Sequence, residues 1–260
     1  MYIDKITQML RYTSMLSNDS SSHVFPPTIL FNEGWMLRLV LDYFSRNRDL
    51  PHKLSFMDDS RWYSELLLPS PFKPRSKGDK LGEGYTHADG VIGHFTIQNH
   101  GKGDIKLEKT VKQFKVIEAK MYSPLSKGTS KCPYYNQAAR NVACMAEVIR
   151  QTDKNIGPIN ISSLDLAFYV LAPEGKKKEI TSILKLESIK KCVEQRVNDY
   201  KGQSEYQDKK AWFDKHFLPV SKKIEIKFIS WESILGDVEK NDKELGNSLQ
   251  EFYEKCKKYN

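Results

Sequence analysis

Phe114-Lys115-Val116-Ile117-Glu118-Ala119-Lys120-Met121 is the stretch on which the fold turns. Its apolar, partly β-branched composition predicts a strand. Side chains alternate along a strand, so Phe114, Val116, Glu118 and Lys120 share one face, and Lys115, Ile117, Ala119 and Met121 share the other. The acid and the lysine therefore continue an apolar face and emerge near the strand's carboxyl end. A carboxylate inside such a run costs free energy unless something pairs with it. A divalent cation is one such partner. A second acid, Asp89 in His87-Ala88-Asp89-Gly90-Val91-Ile92-Gly93, begins another strand-like run 29 residues earlier (118 minus 89). If the two strands diverge there, both carboxylates approach one cation. The competing reading is an ordinary Glu–Lys pair at a strand edge.

Outward from this pair, the pattern alternates between helices and strands. Residues 1–27 predict a short helix and a polar turn ending at Pro26-Pro27. Trp35, Met36, Leu39, Val40, Tyr43 and Phe44 recur at helical spacing up to about Arg46. Residues 52–68 suggest a strand and a short helix, and 69–86 a basic loop punctuated by Pro and Gly. Strands are expected over 88–98 and 111–121, with turn chemistry at Asn99 to Asp104 between them. Pro133 suits the first turn of a helix running to about Arg150, with an apolar stripe of Tyr135, Ala138, Ala139, Val142, Ala146 and Ile149. Leu164 to Leu171 reads as a buried strand, 174–179 as a basic loop, and 181–217 as charged helix. A strand at 224–229, a short helix from Ser230 and a helix over 242–258 complete the chain. The order indicates an α/β fold with a mixed central sheet flanked by helices. It reads as one domain over 1–260, with a core at about 30–235 and rim insertions at 52–86 and 174–222.

The chain has 260 residues and a formal net charge of +8, which favours a polyanionic partner. A merely soluble basic protein is the plainer alternative. Cys132, Cys144, Cys192 and Cys256 lie far apart without a Cys-x-x-Cys pair, so a zinc knuckle or redox motif is not expected. The start Met-Tyr-Ile-Asp-Lys lacks a signal-peptide pattern, and no stretch approaches the roughly 18 apolar residues of a membrane helix. A cytoplasmic location without membrane contact is the expectation.

Glu-x-Lys alone is weak, because Glu174-Gly175-Lys176 and Glu225-Ile226-Lys227 also match. The first lies in a Gly/Lys loop. The second alternates like a half-solvated strand. Glu33 lies on the same side as Met36, Leu37 and Val40, either complementing the helix dipole or serving as a third carboxylate. Gln137, Arg140, Asn141 and Cys144 share one helix face, either solvated or facing a site. His87 and His94 lack partners at metal-ligand spacing. Lys176-Lys177-Lys178 is either a solvated run or a phosphate contact. No Walker pattern and no Gly-x-Ser-x-Gly elbow is present.

Glu33, Asp89, Glu118-Ala119-Lys120 and Tyr135-Asn136-Gln137-Ala138-Ala139-Arg140-Asn141 together resemble the PD-(D/E)xK nuclease superfamily, the restriction-endonuclease-like fold. The late strand with Phe228-Ile229-Ser230-Trp231-Glu232-Ser233-Ile234-Leu235 looks like the end of many members. Ala88 stands where the family name has proline, and Gln137-x-x-Arg140 departs from the Gln-x-x-x-Tyr of exonuclease-like members. The resemblance implies Mg²⁺, with Mn²⁺ able to substitute, held by Asp89, Glu118 and the Ala119 carbonyl. Glu33 would add a ligand to the metal's water or to a second ion. Lys120 would orient the attacking water, and Gln137 and Arg140 would position the phosphate or the lysine. His87, Lys176 and Lys177 would touch substrate. The implied activity is phosphodiester hydrolysis in DNA by a cytoplasmic enzyme, with a homodimer as one compatible assembly. An RNA-directed nuclease and a nuclease fold that binds without cutting are the alternatives.

Overall fold

The structure, a computed structural model, describes residues 2–15, 25–97, 105–129 and 131–260. Helices α1 (Tyr2–Met15) and α2 (Glu33–Arg46) precede strands β1 (Arg61–Pro69), β2 (Tyr85–Gly93), β3 (Phe95–Ile97), β4 (Ile105–Leu107) and β5 (Gln113–Ala119). Helix α3 (Gln137–Ile156) leads to β6 (Asp165–Ala172). Helices α4 (Lys177–Ile183), α5 (Leu186–Asn198), α6 (Tyr206–Trp212) and α7 (Leu218–Lys223) follow. Strand β7 (Glu225–Ser230), α8 (Trp231–Asn241) and α9 (Lys243–Tyr259) end the chain. The main sheet has the order β1-β2-β5-β6-β7, and β3 pairs with β4 apart from it. β1, β2 and β5 are antiparallel neighbours, whereas β5, β6 and β7 run parallel.

Every residue of β5 is buried, as a central strand covered on both faces requires. The alternation read from sequence assigns its faces. Phe114 and Val116 join one core with Ala138, Ala139 and Val142 of α3, and the small alanines let that helix lie close to the sheet. Ile117 and Ala119 join the other with Met36, Leu37, Trp231 and Leu235 from α2 and α8. At Gly90 the approach of α2 is tightest. A Cβ there would lie 3.0 Å from Leu37 Cδ2 and 3.1 Å from Leu41 Cδ1. Any side chain there would make the leucines of α2 give by a few tenths of an ångström.

Several element boundaries differ from expectation. Residues 52–60 form turns rather than a helix, and Asn99 to Asp104 lie outside the described residues. Helix α3 starts at Gln137, not in the turn at Pro133, because Asn136 caps it by accepting from the Ala139 amide at 2.9 Å. It also runs past Arg150 to Ile156. Tyr135 is buried ahead of the helix rather than on its stripe. Glu174–Lys176 is a 3-10 turn that feeds α4, so the expected basic loop is mostly helical. Trp35 and Leu39 are exposed, because their helix face points away from the sheet.

The 70–84 loop is held by cations directed inward. Lys131 Nζ donates to the carbonyls of Asp79 at 2.8 Å and Gly82 at 3.2 Å, and Lys209 Nζ to that of Pro71 at 2.7 Å. Buried Arg196 reaches the Leu81 carbonyl and lies 4.9 Å from the ring centre of Phe72. The sequence reads this loop as a free basic rim; the structure makes it a fixed wall.

Candidate functional site

The sheet forks beside Asp89. β2 pairs with β1 along its whole length, from Tyr85 to Gly93. It pairs with β5 only from Gly90↔Ile117 to Gly93↔Phe114. Asp89 is therefore the interior residue at which β2 leaves β5, not the first residue of its strand. Its side chain replaces the missing ladder bond, with Oδ2 accepting from the Ala119 amide at 2.7 Å. The divergence that brings two acids together is thus sealed by one of them.

Glu118 is almost fully buried and surrounded by donors. Lys120 Nζ lies 2.5 Å from its Oε1, and Gln137 Nε2 donates to the same oxygen at 2.5 Å. Asn141 Nδ2 donates to Oε2 at 3.3 Å. Gln137 is itself oriented, because its Oε1 accepts from the Ser126 amide at 3.1 Å. The Lys120 main chain is held on two sides: its amide donates to Leu171 O at 2.8 Å, and its carbonyl accepts from Trp231 Nε1 at 2.9 Å.

The electrostatics are unbalanced. Burial, then the charge of Glu118, push the Asp89 carboxyl up to about 8, against the Ala119 hydrogen bond and the charge of Lys120. Glu65 raises it further. Burial works to lower the Lys120 pKa, yet Glu118, Asp89 and Glu33 together outweigh it and hold the ammonium above its usual range. One lysine faces more acid than it neutralises, and burial first, then the Glu118 charge, favours the protonated form of Asp89.

This donor set fits a small divalent cation. Two crowded carboxylates supply hard oxygens, and Asn141, fully buried, carries an Oδ1 that no donor reaches. Asp89 and Glu118 would hold the ion. Among the described residues no three His, Cys, Asp or Glu side chains converge as a metal-holding set. Glu33 thus does not complete a triad with the two acids; it sits in the first turn of α2, acting on Lys120 and Cys256 through its charge. At Ala119 the amide donates to Asp89 Oδ2.

The remaining sequence candidates scatter around the fork. The charge of Arg140 acts on Glu83 and Tyr135, and its Nε is buried without a partner. His87 is exposed on β2. His94 is structural, its Nε2 bonded to Asp58 O at 2.8 Å and its Nδ1 accepting from the Gln113 amide at 3.2 Å. Lys176 and Lys177 follow β6, whose carboxyl end lies beside that of β5. They pair with Glu179 at 3.7 Å and Glu174 at 2.7 Å. The helix face carrying Gln137 is not solvated: Asn141 and Cys144 are buried in it.

Sequence reasoning left Glu65 unmarked and gave Asn141 no role. Glu65 stands on β1 opposite Asp89, between the pairs Ser64↔Gly90 and Leu66↔Ala88, with a left-handed φ of 58°. Its only signal was an acid interrupting an apolar run. Asn141 was visible as a polar residue four positions after Gln137. No family model matches this chain, and neither does any curated protein or solved structure.

Proposed function

We propose that this chain is a metal-dependent deoxyribonuclease of the PD-(D/E)xK type, built on a restriction-endonuclease-like core. The observation that carries the reading is the fork between β2 and β5, where Asp89 caps the Ala119 amide and so stands beside Glu118 and Lys120. A Mg²⁺ or Mn²⁺ ion bound by Asp89 and Glu118 would supply Lewis acidity and an activated water. The chain's own groups supply the rest. Asp89, its carboxyl pKa raised by burial and by Glu118, would bind such an ion in its deprotonated form. Lys120, within reach of Glu118 and charged, orients the nucleophilic water and stabilises negative charge developing on the phosphate. Gln137 keeps Glu118 in place. Arg140, His87, Lys176 and Lys177 would contact phosphate around the scissile bond, consistent with the net charge of +8.

The test is cleavage of plasmid and of labelled DNA and RNA oligonucleotides with Mg²⁺, Mn²⁺ or EDTA. Metal-dependent DNA cleavage that disappears in a folded Lys120→Ala variant supports the reading. Full activity in that variant removes Lys120 from the chemistry, and a wild-type protein that retards DNA but cuts neither nucleic acid with either metal overturns the nuclease assignment.

A further inference from the structure

Asn141 is a costly residue for its position. It lies inside α3, fully buried among Ala138, Val142 and Met145, where an apolar side chain would pack without loss. Asparagine is a weak helix former, and its buried Oδ1 has no donor. The one bond its amide makes among the described residues is Nδ2 to Glu118 Oε2 at 3.3 Å. The reverse amide orientation would set Oδ1 against a carboxylate, so chemistry fixes the direction.

The geometry around Glu118 gives that bond a purpose. Oε1 is crowded by Lys120 and Gln137, each at 2.5 Å. Oε2 has Asn141 alone among the described residues, at a distance that leaves the oxygen available to a second partner. Residues four apart on a helix stand one above the other, so Gln137 and Asn141 grip the two oxygens of one carboxylate from the same helix face. We propose that Asn141 is a positioning residue for the cation site, fixing the plane of the Glu118 carboxylate so that Oε2 faces the ion. This rests on the metal-dependent reading above.

The experiment is titration of Mn²⁺ into wild type, Asn141→Ala and Asn141→Leu by calorimetry, with thermal melts in EDTA alongside. Removing a hydrogen-bond partner of a metal ligand typically weakens metal binding about 10- to 100-fold. That loss is expected in both variants, each of which should still melt cooperatively in EDTA. Cleavage in Asn141→Ala should recover at saturating Mn²⁺, which a merely structural defect would not do. Wild-type Mn²⁺ affinity in either folded variant overturns the proposal, and so does unfolding of both variants in EDTA, which would make Asn141 a packing residue. Failure of the nuclease reading itself shows differently, in a wild-type protein that takes up no Mn²⁺.

Discussion

A lysine–carboxylate pair lies near each end of strand β5, and the two differ in how their charges balance. Near the amino end, Lys115 Nζ lies 2.9 Å from Asp165 Oδ2 and donates to the Lys53 carbonyl at 2.9 Å. Gln113 Nε2 satisfies the same carboxylate at 2.9 Å. One cation meets one acid, and the other partners are neutral. At the carboxyl end, Lys120 meets Glu118 with Asp89 beside it and Glu33 acting from α2. There the acids outnumber the lysine, and burial together with the Glu118 charge raises the Asp89 pKa. A balanced buried pair holds strands together. The unbalanced one is where the cation of the proposed function would sit.

Breaking each pair should separate the two roles. Lys120→Ala should reduce cleavage about 10²- to 10³-fold, the range seen when one transition-state donor is removed, while the fold persists. Lys115→Ala should instead cost about 1–3 kcal/mol of stability, since it removes a buried side chain and leaves the part-exposed Asp165 with Gln113 as its donor. Urea unfolding beside a plasmid-cleavage assay reads both, and exchanged phenotypes would refute the contrast.

The second way to sharpen it is pH. A carboxyl whose folded pKa is raised stabilises the fold fully below its unfolded pKa and loses that contribution as pH rises through the folded value. For Asp89 the loss runs from about pH 4 to about pH 8. The metal-free melting midpoint should therefore fall across that window, less steeply in Asp89→Asn. Mg²⁺ should restore the wild type and not the variant, and Mn²⁺ affinity should climb toward pH 8. Equal slopes in the two proteins would place the titration elsewhere.

A smaller effect is expected from Lys115→Met with Asp165→Asn. The double change should recover part of the single-lysine loss, because neither charge is then left alone. The smallest belongs to the Glu225–Lys227 pair of β7, 2.7 Å apart and half in solvent. Lys227→Ala should leave cleavage and melting unchanged within error, since exposed pairs contribute little.

This hierarchy was partly legible in the chain. Periodicity two on β5 assigned both faces correctly, because a strand buried on both sides leaves each apolar residue one destination. It also ranked Glu118 above Glu174 and Glu225, by asking which acid interrupts an apolar face. The fork itself was only conditional, since which strand pairs with which is a long-range choice. Glu65 was hidden for the same reason: its place opposite Asp89 depends on register, and its left-handed backbone on the packing of β1. The run 174–178 was misread because lysines near a glycine look like loop, whereas pairs such as Lys177–Glu174 support a helical turn.

The wall formed by the 70–84 loop changes how the charge of this protein should be counted. Lys131, Arg196 and Lys209 point their charges at backbone carbonyls of that loop. Cations engaged in this way are not placed to neutralise phosphates, so they release few of the counterions condensed on a nucleic acid. The dependence of DNA affinity on salt, which reports phosphates neutralised, should thus be shallower than a tally of lysines and arginines suggests.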